Sequence, residues 1–204
     1  MRFKPILITV LIFLGCSDML LYRSGANYFP LPQGATWKYL FENDTIYVQV
    51  DTSPAVIANR NCIRVYRNFA PEYYTVSPTE IEKLIITEIP RPNKPDTVEF
   101  RFGLRYRQPL VLGDSFQDSF DTTLFWGQDT VKFLHSLRVR VSAIDSVLVP
   151  AGRFYDCYRL EFCEMVVKPE TTITQWIEFL APDVGVVKRE YHSGEKECLI
   201  EYRR

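Results

Sequence analysis

The sequence is poor in the residues and motifs on which most enzymes rely. Only two histidines stand among 204 residues, His135 and His192, and neither lies in a metal-binding spacing such as HExxH. There is no GxSxG elbow and no phosphate-cradling glycine loop, so motif evidence for acyl or phosphoryl transfer is missing. No CxxC pair occurs, which removes the spacing of a structural zinc site. Cys/His nucleophilic catalysis would need Cys157 or Cys163 to meet His192 and an oxyanion hole. Both cysteines instead sit in strand-like runs beside bulky apolar residues and read as core. Carboxylate pairs such as Glu161/Glu164 or Glu195/Glu197 arise by chance in any β-protein and carry no glycosidase signal. No catalytic, cofactor-binding or metal-ligating residue is therefore assigned, and the expectation is a protein that is not an enzyme. An excess of one charge is also lacking: 24 basic residues face 25 acidic ones, a net charge of −1. That balance gives no electrostatic footprint for nucleic acid. No repeat period and no alternating βα pattern appears.

A long apolar run is absent too, but a short one is informative. Ile6–Leu14 (ILITVLIFL) spans nine residues, against the roughly 20 needed to cross a bilayer. Arg2 and Lys4 precede it, and Gly15-Cys16 and polar Ser17-Asp18 follow. A basic start, a short apolar centre and a small residue before the cut make a secretory signal. The stretch Phe13-Leu14-Gly15-Cys16 resembles the lipobox of bacterial lipoproteins, with Phe13 where that family usually has Leu. The resemblance implies cleavage before Cys16, a diacylglycerol on its thiol and an acyl group such as palmitate on its new amine. Several chains anchor lastingly, since each buried methylene contributes about 0.8 kcal/mol. Ser17 also matters. In the sorting rule of enterobacterial lipoproteins, Asp after the cysteine retains the protein at the inner membrane. Its absence here points to the outer membrane, facing the periplasm or the cell surface. Residues 1–15 are then a signal peptide, residues 16–27 a lipid-anchored tether containing Met19-Leu20-Leu21-Tyr22, and residues 28–204 one antiparallel β-domain. The mature chain has 189 residues and a charge of −3, because the signal carries two basic and no acidic residues.

Four further cysteines remain: Cys62, Cys157, Cys163 and Cys198. An exported chain can oxidise such residues. Buried thiols in strands are the leading reading, and a disulfide of Cys198 with Cys157 or Cys163 is the alternative.

From Tyr28 onward, period-two patterns dominate. Trp37, Tyr39 and Phe41 alternate with Lys38; Ile46, Val48 and Val50 with Tyr47 and Gln49. The clearest strand is Thr97–Arg107. Val98, Phe100, Phe102, Leu104 and Tyr106 share one face, and Glu99, Arg101, Gly103, Arg105 and Arg107 share the other, which reads as solvated, with an anion-binding strip as the alternative. Residues 78–89 fit either a helical face or a β-branched strand. Residues 113–130 read as a loop whose Phe116, Phe120, Phe125 and Trp126 cover the core or, as the alternative, line a ligand site. Leu137–Val149 and Phe154–Val167 form strands around a Pro150-Ala151-Gly152 turn. Thr172–Leu180, Val186–Tyr191 and Glu197–Arg203 complete a meander. The expected fold is all-β and mainly antiparallel: a single curled sheet or partly open barrel with meander connections and at most one short helix.

Three stretches look familiar together: Tyr28-Phe29-Pro30-Leu31 with Gly34 and Trp37; Val149-Pro150-Ala151-Gly152-Arg153-Phe154 running to Cys157-Tyr158-Arg159-Leu160; and Ala181-Pro182-Asp183-Val184-Gly185 with Val187-Lys188 and Glu190. In this order they resemble motifs of the TapB-like group and related β-rich periplasmic domains. Asp183 stands where that group usually has Gly. The resemblance implies a curled antiparallel domain, distantly like the half-barrels of lipoprotein carriers, and implies no chemistry. Residues 45–135 carry no such motif.

Two functions fit these features. One is a membrane-anchored binding or carrier module whose concave face, with residues such as Phe100, Phe102 and Trp176, holds an apolar ligand. The alternative is a structural or interaction protein of the envelope that docks a protein partner. Either way the membrane is met through the N-terminal lipid. The anchor predicts that Cys16→Ala, expressed in a bacterial host, loses incorporation of labelled palmitate and leaves the membrane fraction. Wild-type fractionation by the variant would remove lipidation at Cys16.

Overall fold

The computed structural model describes residues 26–89, 97–126, 129–168 and 170–204. The signal, Cys16 and most of the tether lie outside them, as do the side chains of Val98, Glu99, Phe125 and Trp126. The described chain is all-β. Its strands are β1 (Thr36–Phe41), β2 (Asp44–Val50), β3 (Ala55–Ile57), β4 (Arg60–Arg67), β5 (Ala70–Val76), β6 (Glu80–Ile89), β7 (Thr97–Arg107), β8 (Ser115–Trp126), β9 (Asp129–Val149), β10 (Gly152–Lys168), β11 (Glu170–Ala181), β12 (Gly185–Tyr191) and β13 (Lys196–Arg203). They join in the order β7-β6-β5-β4-β2-β1-β13-β12-β11-β10-β9-β8, with β3 attached to β4. Every pairing is antiparallel. Neighbours in sequence are neighbours in the sheet almost throughout, and the first strand pairs with the last.

The sheet curls until its two edges, β7 and β8, meet at one seam. No backbone ladder crosses it. Asp118 of β8 does so instead: its Oδ2 accepts from the Leu104 amide of β7 at 3.0 Å, and its Oδ1 lies 3.8 Å from Arg101 Nη2. The Arg101 guanidinium also lies 4.4 Å from the centre of the Phe120 ring. The approach is close because Gly103 faces the seam. A Cβ there would lie 2.7 Å from Ile85 Cδ1 and 3.1 Å from Asp118 Oδ2. Charged residues along open edges also keep foreign strands from pairing there.

Two of the sequence expectations change. Of residues 78–89, Glu80–Ile89 form β6, so the β-branched run Ile85-Ile86-Thr87 decides the ambiguity. Residues 113–130 are mostly strand rather than loop: β8 pairs with an extended β9 from Ser115↔Arg140 to Trp126↔Asp129. Their polar residues misled because they occupy the outer face, while Phe116 and Phe120 are buried as expected of core cover.

The apolar core follows the strand periodicity. Trp37 and Tyr39 of β1, Val139 and Val141 of β9, Tyr158, Leu160 and Phe162 of β10, Leu180 of β11 and Leu199 of β13 pack in one cluster. Burial of each large apolar side chain contributes about 1.5–3 kcal/mol. Five bulges bend the strands and re-aim side chains: at Phe154/Cys157 in β10, in β9 opposite Arg159/Leu160, in β12 opposite Phe179/Leu180, in β13 opposite Lys38/Tyr39 and in β7 opposite Ile81/Glu82.

The N-terminal segment closes one end, here called the base. β12 begins there, β9 and β11 end there, and β10 starts there. The Asp183 amide donates to Asn27 O at 2.8 Å, and Asp183 Oδ1 accepts from the Asn27 amide at 3.1 Å. Asp183 itself takes φ of 59°, a left-handed conformation that Asp tolerates. Phe29 then enters between Tyr106 and Tyr74, at ring-centre distances of 4.5 and 5.6 Å. Tyr28 packs edge-on against Tyr158 at 4.8 Å. Val184 O, just before β12, accepts from Trp37 Nε1, and Val186 O in β12 accepts from Tyr39 Oη, each at 2.9 Å.

Leu160 has no exposure, whereas Leu148 is 68% exposed. Leu160→Ala is expected to cost about 2–5 kcal/mol and Leu148→Ala within about 0.5 kcal/mol. Urea denaturation of the two variants beside wild type measures both values.

Candidate functional site

The interior above the base is charged rather than apolar. Glu178, on β11, has no solvent exposure. Its Oε1 accepts from Arg105 Nη2 at 2.7 Å, Arg189 Nε at 2.9 Å and Trp176 Nε1 at 3.0 Å. Its Oε2 accepts from Tyr106 Oη at 2.5 Å. Glu197, on β13, is equally buried. It accepts from Arg67 Nη2 at 2.6 Å, Arg189 Nη1 at 3.1 Å and Tyr191 Oη at 3.4 Å. Arg189 thus ties the two carboxylates together. Burial would push the Glu178 carboxyl up, but Arg105, Arg189 and the Tyr106 hydroxyl outweigh it and bring it down to about 2. Burial drives the Tyr106 hydroxyl upward, with Glu178 adding to the effect.

The bulge in β7 explains how two consecutive residues reach one carboxylate. Ile81 pairs with Tyr106 and Glu82 with Leu104, leaving Arg105 as the extra residue. Strict alternation fails there, so Arg105 and Tyr106 both turn toward Glu178. This corrects the sequence expectation of a solvated arginine row. Arg101 and Arg107 are exposed, but the Arg105 side chain is 16% exposed and lies inside.

Above this network a cavity of about 600 Å³ opens at the end away from the base. Its lining includes Leu84, Ile85, Phe133 and Val166 on the apolar side, and Lys83, Arg105, Arg189 and His135 on the polar side. Glu72 accepts from Lys83 Nζ at 2.7 Å and Tyr74 Oη at 2.6 Å. Burial lowers the Lys83 ammonium, and Glu72 opposes that shift. His135 Nε2 lies 2.9 Å from Glu164 Oε1, a contact that lowers the Glu164 carboxyl. The ring packs against Phe120 at 5.3 Å. Arg67, Glu72, Tyr74 and Arg189 also line a small hollow of about 60 Å³ that touches Phe29, Pro30 and Leu31. The charged network is therefore a partition between the cavity and the N-terminal segment.

Of the three residues expected to line a cavity, only Trp176 does so. Phe100 is 53% exposed, and Phe102 packs against the Arg60 guanidinium at 4.3 Å. Cys163 and His192 come together in a different groove, of about 580 Å³, with Arg138, Arg140, Gln175 and Lys196. No hydrogen bond joins them; the Cys163 sulfur accepts from Gln175 Nε2 at 3.7 Å. Cys157 is wholly buried in the core, and burial pushes its thiol up to about 12. Cys62, Cys157, Cys163 and Cys198 are all free thiols, so neither pairing of Cys198 is formed in this structure. Glu195 and Glu197 do not act as a pair, because Glu197 is locked in the network and the Glu195 carboxylate meets Ser193. Among the described residues no cluster of three or more His, Cys, Asp or Glu has metal-binding geometry.

Sequence reasoning missed Glu178, Arg189, Arg67 and Lys83. Glu178 had left a signal: a lone acid in Trp176-Ile177-Glu178-Phe179-Leu180, on the same parity as Trp176 and Leu180. An unpaired carboxylate at a core position is costly, so partners had to exist.

No protein-family model and no curated protein matches the chain. Solved structures do. A crystal structure from Parabacteroides distasonis, described as a presumed lipoprotein, superposes with a TM-score of 0.52 at 13% identity, covering 87% of this chain and 99% of its own. A presumed exported protein with a YmcC-like fold, from Bacteroides fragilis, superposes with a TM-score of 0.52 at 12% identity, covering 88% of this chain and 100% of its own. At this identity the likeness is one of fold, and it extends over nearly all the described strands.

Glu178→Gln is expected to destabilise the domain by about 3–5 kcal/mol, the cost of breaking a buried ion network. Glu178 is held at about 2 when folded, against about 4.3 for a free glutamate. Its contribution is therefore complete above that free value and is lost as pH falls toward 2. Urea melts between pH 6 and 2.5 should show a shallower acid loss in Glu178→Gln than in wild type.

Proposed function

We propose that this chain is a bacterial envelope lipoprotein, held to the membrane by a lipid on Cys16, whose β-domain binds an amphipathic ligand in the interior cavity. The observation that carries this reading is the cavity itself. Its volume of about 600 Å³ falls in the range of about 300–1,000 Å³ usual for ligand pockets. One wall is apolar and the floor is charged, which suits a molecule with an apolar body and a polar end. The reading keeps the apolar ligand expected from the sequence and adds a polar end to it. Export and lipidation rest on the lipobox resemblance, and the names of the two structural neighbours agree with them. The resemblance of three stretches to TapB-like motifs supports the same placement. No catalytic step is assigned.

The tether supports an orientation as well. It leaves the domain at the base, where Asn27 is latched to Asp183. Ten residues separate Cys16 from Asn27, a short tether that sets the base toward the lipid and the cavity mouth away from it. A second reading, docking of a protein partner, draws on Phe69, which is 93% exposed at the tip of the β4–β5 hairpin.

Native mass spectrometry tests the principal reading. The mature chain carrying Cys16→Ala, purified without detergent from a bacterial host, is expected to retain a bound amphiphile. Val166→Trp, which fills the cavity wall, is expected to lose it. Repeated recovery of the unmodified chain free of ligand would overturn the binding reading.

A further inference from the structure

The cavity floor presents donors, and its carboxylates are hidden. Glu178 and Glu197 have side-chain exposures of 0%, whereas Arg67, Arg105 and Arg189 retain 26%, 16% and 18%. A molecule entering the cavity therefore meets guanidinium groups and not the acids that neutralise them. Two other carboxylates line the cavity, and each already accepts a hydrogen bond: Glu72 from Lys83 and Tyr74, and Glu164 from His135. Arg105 spends only Nη2 on Glu178 among the described residues. Its guanidinium lies beside both Phe162 and Trp176, 4.5 and 5.0 Å from their ring centres. Those rings are themselves stacked at 4.9 Å with an angle of 6°. Arg67 likewise spends only Nη2, on Glu197.

These are donors fixed in advance. A guanidinium held by a buried carboxylate and set beside rings loses little freedom when a ligand arrives. Its remaining N–H groups match the paired oxygens of a carboxylate or phosphate. Partial exclusion of water strengthens the attraction relative to the open surface. A cationic ligand head would instead meet cations on the floor, where Glu178 and Glu197 are covered, while Glu72 and Glu164 are already engaged by Lys83, Tyr74 and His135. A neutral head would gain hydrogen bonds but no charge assistance.

We propose that the ligand's polar end is an oxyanion, a carboxylate or a phosphate, bound by the exposed guanidinium edges of Arg105, Arg67 and Arg189, with its apolar chain along Leu84, Ile85, Phe133 and Val166. This rests on the cavity being the ligand site, and it names the class of ligand.

Isothermal titration of the mature Cys16→Ala chain with decanoate, monodecyl phosphate, decanol and decyltrimethylammonium separates the two claims. Decanoate or monodecyl phosphate is expected to bind at least tenfold more tightly than decanol, with decyltrimethylammonium weakest. The tighter of the two anions identifies the source of the oxyanion. Equal affinity for decanol and both anions overturns the oxyanion head and leaves the cavity reading standing. Failure of every decyl compound to bind overturns the cavity reading itself. Inorganic phosphate binding as tightly as monodecyl phosphate overturns the role of the apolar chain. Arg105→Gln is expected to abolish the preference for anions while decanol affinity stays within twofold, with circular dichroism confirming the fold. Because wild type alone decides the head preference, an unfolded variant leaves the proposal open to refutation.

Discussion

The bridge made by Arg189 between Glu178 and Glu197 is the constraint around which this domain is arranged. Two carboxylates without solvent contact sit inside a curled sheet, where neither would stay charged alone. Each buried acid needs cations and donors delivered from distant strands. Arg67 comes from β4, Arg105 and Tyr106 from β7, Trp176 from β11, and Arg189 and Tyr191 from β12. The network therefore links opposite walls that no backbone ladder joins directly. Such a network rarely adds much net stability compared with apolar packing. It does make alternative registers costly, because a slip of one residue would strand a charge.

Legibility in the sequence followed the physics of alternation. Where strands run regularly, as in Val139 and Val141 or Tyr158, Leu160 and Phe162, parity alone identified the core. Alternation failed at bulges, and Arg105 shows why. One inserted residue turns two neighbours the same way, and no pattern in Phe102-Gly103-Leu104-Arg105-Tyr106 announces the insertion. Polar composition misled in residues 113–130, because a strand with one wet face resembles a loop in content. Pairing information was harder still. Glu178 could be flagged as anomalous from its neighbours, but its partners lie 73 and 11 residues away in sequence, at Arg105 and Arg189. Only the sheet order brings them together.

The three familiar motifs gain a shared explanation from the fold. Tyr28-Phe29-Pro30-Leu31, the stretch from Pro150 to Tyr158, and Ala181–Gly185 all converge on the base. Tyr28 meets Tyr158, Asn27 meets Asp183, and Ala151 donates from its amide to Leu199 O at 3.0 Å. Gly185 takes φ of 92°, and a Cβ there would meet Pro30 Cδ at 3.5 Å. These residues are a closure device. They seal one end of the sheet, while residues 45–135 contribute strands that shape the interior.

That seal also settles the traffic. With Phe29 wedged between Tyr74 and Tyr106, and the charged partition above it, the hollow is a cul-de-sac. Among the described residues no passage leads on through the base, so a molecule that entered would leave by backing out. Such a vessel is loaded and emptied at one lip, so delivery would depend on whatever meets that lip. Passage straight through to the base is closed by the Phe29 wedge and the charged partition.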